Sequence, residues 1–146
     1  MKTSTQKKVP LWYWIVTILA ILWNIMGVSA YLFDAFMTPE QKMMLPAEQL
    51  ELMNSTPSWV TAAYAIAVWS GLTGSIGLAF RKKWAKGVLL ISLIAVVLQL
   101  GYVALATNAM EVYGQFEAVI LPMSVLVIAI MLLILATRAL KNKWIT

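Results

Sequence analysis

Cysteine and histidine are both absent from this chain of 146 residues, and charged residues make up only 12% of it. Without cysteine the chain has no disulfide framework, no thiolate nucleophile and no cysteine-ligated metal. Without histidine it also lacks the usual proton shuttle and the commonest metal ligand. Most enzyme mechanisms lose their central residue in this way. We therefore expect a protein that is not an enzyme and that uses no cofactor and no metal ion.

Apolar residues, in contrast, are abundant. They make up 62% of the chain, and the mean hydropathy is +0.82. Such values exclude a soluble domain of this length and indicate an integral membrane protein. The net charge of +5 does not indicate nucleic-acid binding, because the basic residues flank the apolar segments. The partners that we expect for them are membrane lipids.

Four apolar runs predict the architecture, since about 20 apolar residues in a helix cross a bilayer. We expect an all-α membrane protein in which four transmembrane helices form an antiparallel bundle, as one membrane domain over residues 1–146. The predicted spans are about 11–33, 59–80, 87–107 and 118–137, with an outer loop over 34–58.

The first run permits a second interpretation. A basic start, an apolar stretch and the small residues Val28-Ser29-Ala30 are typical of a cleaved signal peptide. The run is longer than a usual signal sequence and is interrupted by Trp23 and Asn24. We therefore favour a first span that stays in the protein.

The loop over 34–58 carries its own helix signals. Thr38-Pro39-Glu40-Gln41 places a capping hydroxyl, a proline at the first helical position and a glutamine three residues after the threonine. Its many Met and Leu residues predict a short helical segment along the membrane surface, with a disordered loop as the alternative. Thr56-Pro57 predicts a cap for the second span by the same logic.

Charge predicts the orientation of the bundle. The amino-terminal tail, the turn after the second span and the carboxyl-terminal tail hold ten of the eleven Lys and Arg residues. The other two connections hold all six acidic residues. Because basic loops stay in the cytoplasm, both termini are predicted to lie there. The acidic residues could in principle hold Ca²⁺, but no ligand-loop spacing is present, so a solvated acidic surface is favoured.

The second span is predicted to be the centre of the bundle. Small residues recur there at every fourth position, which keeps them on one helix face where a neighbouring backbone can approach closely. A second row, Ser70, Gly74 and Gly77, lies beside the first. The predicted packing residues are Ala63, Ala67, Gly71, Gly74 and Ser75. The small-residue faces of the second span also allow contact with a second copy of the chain, in a homo-oligomer, or with an unidentified membrane-protein partner.

Polar residues within the spans are the candidate functional groups. Asn24 and Gln99 lie at similar depth on helices that both start in the cytoplasm, so their positions allow a contact across the bundle axis. Two interpretations stay open: hydrogen bonds that only join helices, or a polar pocket open to the outside. The candidate pocket residues are Asn24, Tyr31, Asp34, Tyr64, Gln99, Tyr102 and Glu111.

Several short motifs carry a resemblance to a known group of proteins. They are Trp12-Tyr13-Trp14, Leu22-Trp23-Asn24 with Met26-Gly27-Val28, Thr38-Pro39-Glu40, Arg81-Lys82-Lys83-Trp84-Ala85 and Glu111-Val112-Tyr113-Gly114. In these the chain resembles small, uncharacterised bacterial four-span proteins of the inner membrane, often labelled as sugar transporters. The resemblance implies a bacterial inner-membrane location. It adds Tyr113 to the candidate pocket, as one of the groups suited to a hydroxylated, uncharged solute.

Two functions are therefore expected from the sequence. The first is a non-enzymatic binding or accessory module in the membrane. The alternative is a transporter or binding protein for a small uncharged hydroxylated solute such as a sugar, working as an oligomer. A polar stripe that is fully packed and hydrogen-bonded would favour a protein–protein module, and a wet cavity bounded by that stripe would favour a transporter.

Overall fold

The computed structural model describes residues 7–146, and every regular element in that part of the chain is helical. Four of the helices are long and three are short, with one π-helical turn between the last two. In chain order they are α1 (Leu11–Ala35), α2 (Pro39–Met43), α3 (Ala47–Ser55), α4 (Ser58–Ala79), α5 (Ala85–Ala106), α6 (Ala109–Gln115), the π turn Phe116–Ile120 and α7 (Leu121–Lys141).

Four helical runs are long and apolar enough to cross a membrane: Leu11–Ala35, Ser58–Ala79, Ala85–Ala106 and Ala109–Lys141. The shortest have 22 residues and so reach about 33 Å, which exceeds the hydrocarbon core of a bilayer. Their outward faces carry large apolar side chains such as Leu19, Ile94 and Met131, each more than half exposed. The chain is therefore a helical bundle of the multi-pass membrane class.

The central position of α4 follows from its small residues. The predicted packing residues Ala63, Ala67, Gly71, Gly74 and Ser75 are all buried. The largest helix–helix interface joins α4 to α5, and the next joins α4 to α1. A Cβ built at Gly74 would lie 2.6 Å from Leu89 Cγ, so the α4 backbone is in direct contact with a side chain of α5.

One end of the bundle is closed by interlocking side chains and backbone. The Tyr13 hydroxyl on α1 donates a hydrogen bond of 2.8 Å to the carbonyl of Leu78 near the end of α4. Arg81, in the following turn, takes a positive φ of 59° and donates from Nε to the Trp144 carbonyl at 2.7 Å. Ile145 is almost fully buried in the same core. These contacts hold α1, the α4–α5 turn and the segment after α7 together.

The connection between α1 and α4 contains the predicted helix start. Thr38 and Gln41 form both hydrogen bonds of a capping box at α2. Hydrogen bonds from its own backbone N–H and from the Thr38 hydroxyl lower the pKa of the exposed Glu40 carboxyl. The predicted cap at Thr56 is wrong, because its hydroxyl donates back to the Leu52 carbonyl at 2.8 Å. Thr56 is therefore the C-cap residue of α3, and Pro57 is the N-cap residue of α4.

The fourth predicted span differs most from the structure. Instead of one helix over 118–137, the run contains α6, the π turn and then α7, which continues to Lys141. Gly114 interrupts the run with a φ of 82°, a left-handed conformation that only glycine adopts without strain. Pro122 has no N–H to donate to the preceding turn, and the π turn lies just before it.

The contact between α4 and α5 leads to a testable expectation. Replacing Gly74 by valine places a branched side chain against the buried Leu89, which should destabilise the bundle by about 1–3 kcal/mol. Gly87 on α5 is a matched control, since a Cβ there meets nothing within 4 Å. In thermal unfolding in detergent, Gly74→Val should have a clearly lower Tm than the wild type, and Gly87→Val should have nearly the same Tm. Equal behaviour of the two variants would contradict the interface.

Candidate functional site

A cavity of about 380 Å³ lies among the four long helices. Its wall is formed by residues of α1, α4, α5 and α7, and most of these residues are apolar. The polar side chains on the wall are those of Asn24, Tyr64, Ser92 and Gln99, together with the indole of Trp23. No Asp, Glu, Lys or Arg lines it. The volume falls within the range of about 300–1,000 Å³ that is usual for small-molecule sites.

Asn24 on α1 is held in one orientation by its amide nitrogen. Nδ2 donates to the Ala20 carbonyl at 2.8 Å and to Ser75 Oγ at 3.1 Å. The nitrogen must occupy this position, because an oxygen there would place two acceptors against each other. Ser75 in turn donates to the Gly71 carbonyl at 2.8 Å. Both amide hydrogens are therefore used within the bundle, and the amide oxygen Oδ1 is left for other partners.

Oδ1 of Asn24 lies directly over Gly71 of α4. A Cβ added to Gly71 would be 2.3 Å from Oδ1 and 3.2 Å from Ser92 Oγ, so both side chains pack closely on the α4 backbone at this glycine. Ser92 on α5 donates its hydroxyl hydrogen to the Ala67 carbonyl at 2.7 Å. Among the described residues, neither oxygen accepts a hydrogen bond. Asn24, Gly71 and Ser92 therefore form a close contact of α1, α4 and α5 beside the cavity.

Gln99 lies further along the same wall. It is two helical turns after Ser92 on α5, which corresponds to a rise of about 10 Å. Its side chain is half-buried and has no hydrogen-bond partner in the part of the chain that the structure describes. The predicted contact between Asn24 and Gln99 is wrong. Asn24 finds a nearer partner in Ser75 of α4, and the cavity separates it from Gln99.

Three of the four tyrosines of the candidate pocket, Tyr31, Tyr64 and Tyr102, are paired with other rings. Tyr31 packs edge-on against Tyr64, with ring centroids 5.3 Å apart, and so continues the cavity wall without lining it. Tyr102 packs edge-on against Trp59 at 5.4 Å. Such pairs contribute about 0.5–1.5 kcal/mol beyond the burial of their area. The first pair joins α1 to α4, and the second pair joins α4 to α5.

The acidic candidates lie elsewhere. Glu111 lines a separate cavity of about 450 Å³ between α3 and α6, together with Glu48 and Glu51. Within residues 7–146 no group of three His, Cys, Asp or Glu residues is arranged to hold a metal ion. Asp34 and Tyr113 are exposed. The sequence predicts a single pocket, but the structure contains two cavities. The cavity among the four long helices is lined by Asn24, Tyr64 and Gln99.

The contacts of Asn24 with Gly71, Ser75 and Ser92 combine groups that the sequence prediction kept apart. Gly71 and Ser75 were assigned to packing alone, and Ser92 was not among the candidate site residues. A signal was present, since Ser92 and Gln99 are seven residues apart and so share a helix face. Whether that face points to Gly71 depends on the rotation of α5 about its own axis, which spacing alone does not determine.

A comparison of the chain with protein-family models, with curated protein sequences and with solved structures finds no match.

Proposed function

We propose that the chain is a non-enzymatic binding module of the bacterial cytoplasmic membrane, which holds a small uncharged molecule in the cavity among its four long helices. The observation that carries this proposal is the cavity itself. A bundle whose polar residues served only to join helices would bury them in close contact. Here, in contrast, Gln99 borders the cavity without a hydrogen-bond partner among the described residues.

The character of the wall supports an uncharged ligand. No Asp, Glu, Lys or Arg lines the cavity, so a charged ligand would lack compensation inside the membrane. The polar groups on the wall are amides, hydroxyls and one indole, all of them uncharged. Binding is therefore the chemistry that these groups support best.

The mainly apolar wall of the cavity favours a ligand that is less polar than a sugar. A sugar presents a hydroxyl on nearly every carbon, and each buried hydroxyl without a partner costs about 1–3 kcal/mol. Only five of the side chains that border the cavity carry a polar atom. We therefore propose a ligand with few polar groups, and we place the sugar-transporter alternative second.

The distribution of charge supports an orientation with both termini in the cytoplasm. Arg81 donates to carbonyls of Lys7 and Trp144, so three basic segments meet at the closed end of the bundle. The glutamates of the second cavity belong to α3 and α6, in the connections that hold all the acidic residues. The positive-inside rule then assigns the closed, basic end to the cytoplasm.

Single-cysteine labelling tests this orientation, and the absence of natural cysteine makes the background clean. Cysteines at Asn54 and Asn108, both exposed positions in the acidic connections, should react with a membrane-impermeant maleimide in intact cells. Cysteines at the exposed Lys83 and Asn142 should react only after the cells are opened. Labelling at Lys83 in intact cells would overturn the orientation.

Ligand binding in the cavity is tested by two matched substitutions on α7. Val125 lines the cavity, whereas Val127 is 54% exposed on the outer face of the same helix. Val125→Trp should fill the cavity, and Val127→Trp should leave it open. A ligand at 100 times its Kd stabilises a protein by about 2.7 kcal/mol. Members of a panel of small, uncharged, mainly apolar compounds should therefore raise the Tm of the wild type and of Val127→Trp.

The same compounds should not raise the Tm of Val125→Trp. A panel in which no compound distinguishes the two tryptophan variants would contradict the proposed function.

A further inference from the structure

We propose that the cavity opens sideways into the bilayer between α1 and α7, and that its ligand is an uncharged lipid-like molecule whose chain passes through this opening into the membrane. This inference rests on the proposed function, since it names the class of ligand for the same cavity. It depends on three observations: a gap between two helices, the side chains that border the gap, and the depth at which they lie.

The helices around the cavity do not form a closed ring. α1 packs on α4, α4 on α5, and α5 on α7, whereas α1 and α7 have at most isolated contacts with each other. Near the basic end this gap is covered, because Trp144 packs edge-on against Trp12 and Tyr13 of α1, with ring centroids 5.6 and 5.8 Å apart. Further along, α1 and α7 both line the cavity without an interface between them. The cavity therefore opens between these two helices.

The side chains at the edge of the gap belong both to the cavity wall and to the outer surface. Met26 on α1 lines the cavity and is 65% exposed. Ala30, one turn further along α1, also lines the cavity and is exposed. On the other side of the gap, Leu121 of α7 lines the cavity and is 46% exposed. We call the gap bordered by Met26, Ala30 and Leu121 the lateral opening.

The lateral opening lies at the depth of the lipid chains. Met26 is about 13 Å along the helix axis from Ala35, the last residue of α1. Leu121 is about 30 Å from Lys141 at the basic end of α7, which is about the thickness of the hydrocarbon core. The opening thus faces hydrocarbon over most of its length. A molecule dissolved in the bilayer is already at this depth, whereas a strongly polar solute would first have to leave water.

The absence of charge on the wall and at the lateral opening matches such a molecule. No Asp, Glu, Lys or Arg lines the cavity, and the three bordering side chains are apolar. The part of the ligand that passes between α1 and α7 must therefore be apolar as well. An uncharged polar end is suited to the inside of the cavity, where the Gln99 amide has no hydrogen-bond partner among the described residues. A long-chain alcohol has both properties.

Chain length distinguishes an open cavity from an enclosed one. In an enclosed cavity, a chain longer than the cavity is excluded by steric overlap with the wall. In a cavity that is open to lipid, the extra length of the chain lies in the bilayer. Binding from the lipid phase should then depend little on the length of the chain.

The test compares n-octanol with oleyl alcohol, whose chain is more than twice as long, in lipid nanodiscs. Apparent affinities, expressed as mole fractions in the lipid, are measured from the dependence of the Tm on the alcohol content. Val125→Trp, whose cavity is filled, gives the background from alcohol in the bilayer. Both alcohols should stabilise the wild type above this background, with affinities that agree within about threefold.

A reversible cap on the lateral opening should separate the two alcohols. Because the chain has no cysteine, a double variant with Met26→Cys and Leu121→Cys carries thiols only at the border of the opening. Benzyl methanethiosulfonate attaches an aromatic group to each thiol, and dithiothreitol removes it again. The capped protein should bind oleyl alcohol at least about tenfold more weakly, because its chain overlaps with the cap, and should still bind octanol. Removal of the cap should restore the binding of oleyl alcohol.

A matched control carries the same groups on the same two helices but away from the cavity. Ile25 and Met123 are 45% and 48% exposed, and neither lines the cavity. After the same treatment, a double variant with Ile25→Cys and Met123→Cys should bind both alcohols as the wild type does. Binding of octanol by the capped protein also shows that its cavity is intact.

Four results would overturn the inference. If octanol stabilises the wild type and oleyl alcohol does not, the cavity is enclosed, and the proposed function stands without the lateral opening. If the cap leaves both alcohols bound, or removes both, the chain does not pass between α1 and α7. If the wild type is a dimer in nanodiscs that the cap separates, a second copy occupies the opening. If neither alcohol stabilises the wild type beyond the Val125→Trp background, the lipid-like ligand is excluded, and the broader panel decides the proposed function separately.

Discussion

The bundle depends on the close approach of α4 to its two neighbours. Between transmembrane helices the lipid supplies no hydrophobic driving force, so association depends on contact area and on interhelical hydrogen bonds. Glycine, alanine and serine on α4 permit both. The Ser92 hydroxyl reaches the carbonyl of Ala67, and Tyr13 reaches that of Leu78, because no bulky side chain stands between the helices. Without this approach neither bond could form.

The same packing explains why the molecule is closed at one end and hollow further along. α7 packs against α5 over a broad interface but makes few contacts with α4. At the basic end, Ala136, Ala139 and Ile145 fill the space between these helices and complete a buried core. Beyond Leu132 the facing residues no longer fill it, and the cavity opens towards Gln99. The polar groups of α1 and α5 that border the cavity therefore keep free lone pairs and an unpaired amide.

Much of the architecture could be predicted from the sequence, because it follows from properties of single segments. The positions of the long helices follow from apolar length. The buried face of α4 follows from its small residues, and the start of α2 follows from Thr38 and Gln41. The prediction was poorer at the fourth span, where the conformation of Gly114 and the π turn depend on how the chain enters the bundle.

The site was predicted less well, because it depends on relations between segments. Similar depth suggested that Asn24 meets Gln99, yet depth does not specify how each helix is rotated. Asn24 instead bonds to Ser75 on the adjacent α4, and its unused oxygen becomes visible only when Gly71 is placed beneath it. Likewise, Tyr31 and Tyr102 pack in ring pairs and Glu111 lines a second cavity, so these candidate residues do not share one pocket.

The central claim is that a small uncharged molecule lies in the cavity among the four long helices. Diffraction from crystals grown with an octanol that carries bromine at the end of its chain tests this claim most directly, because the anomalous signal locates the bromine atom. The account predicts a bromine peak inside the cavity, between Val96 of α5 and the Val125 and Ile128 side chains of α7. Bromine peaks found only on the lipid-facing surfaces of the helices would contradict it.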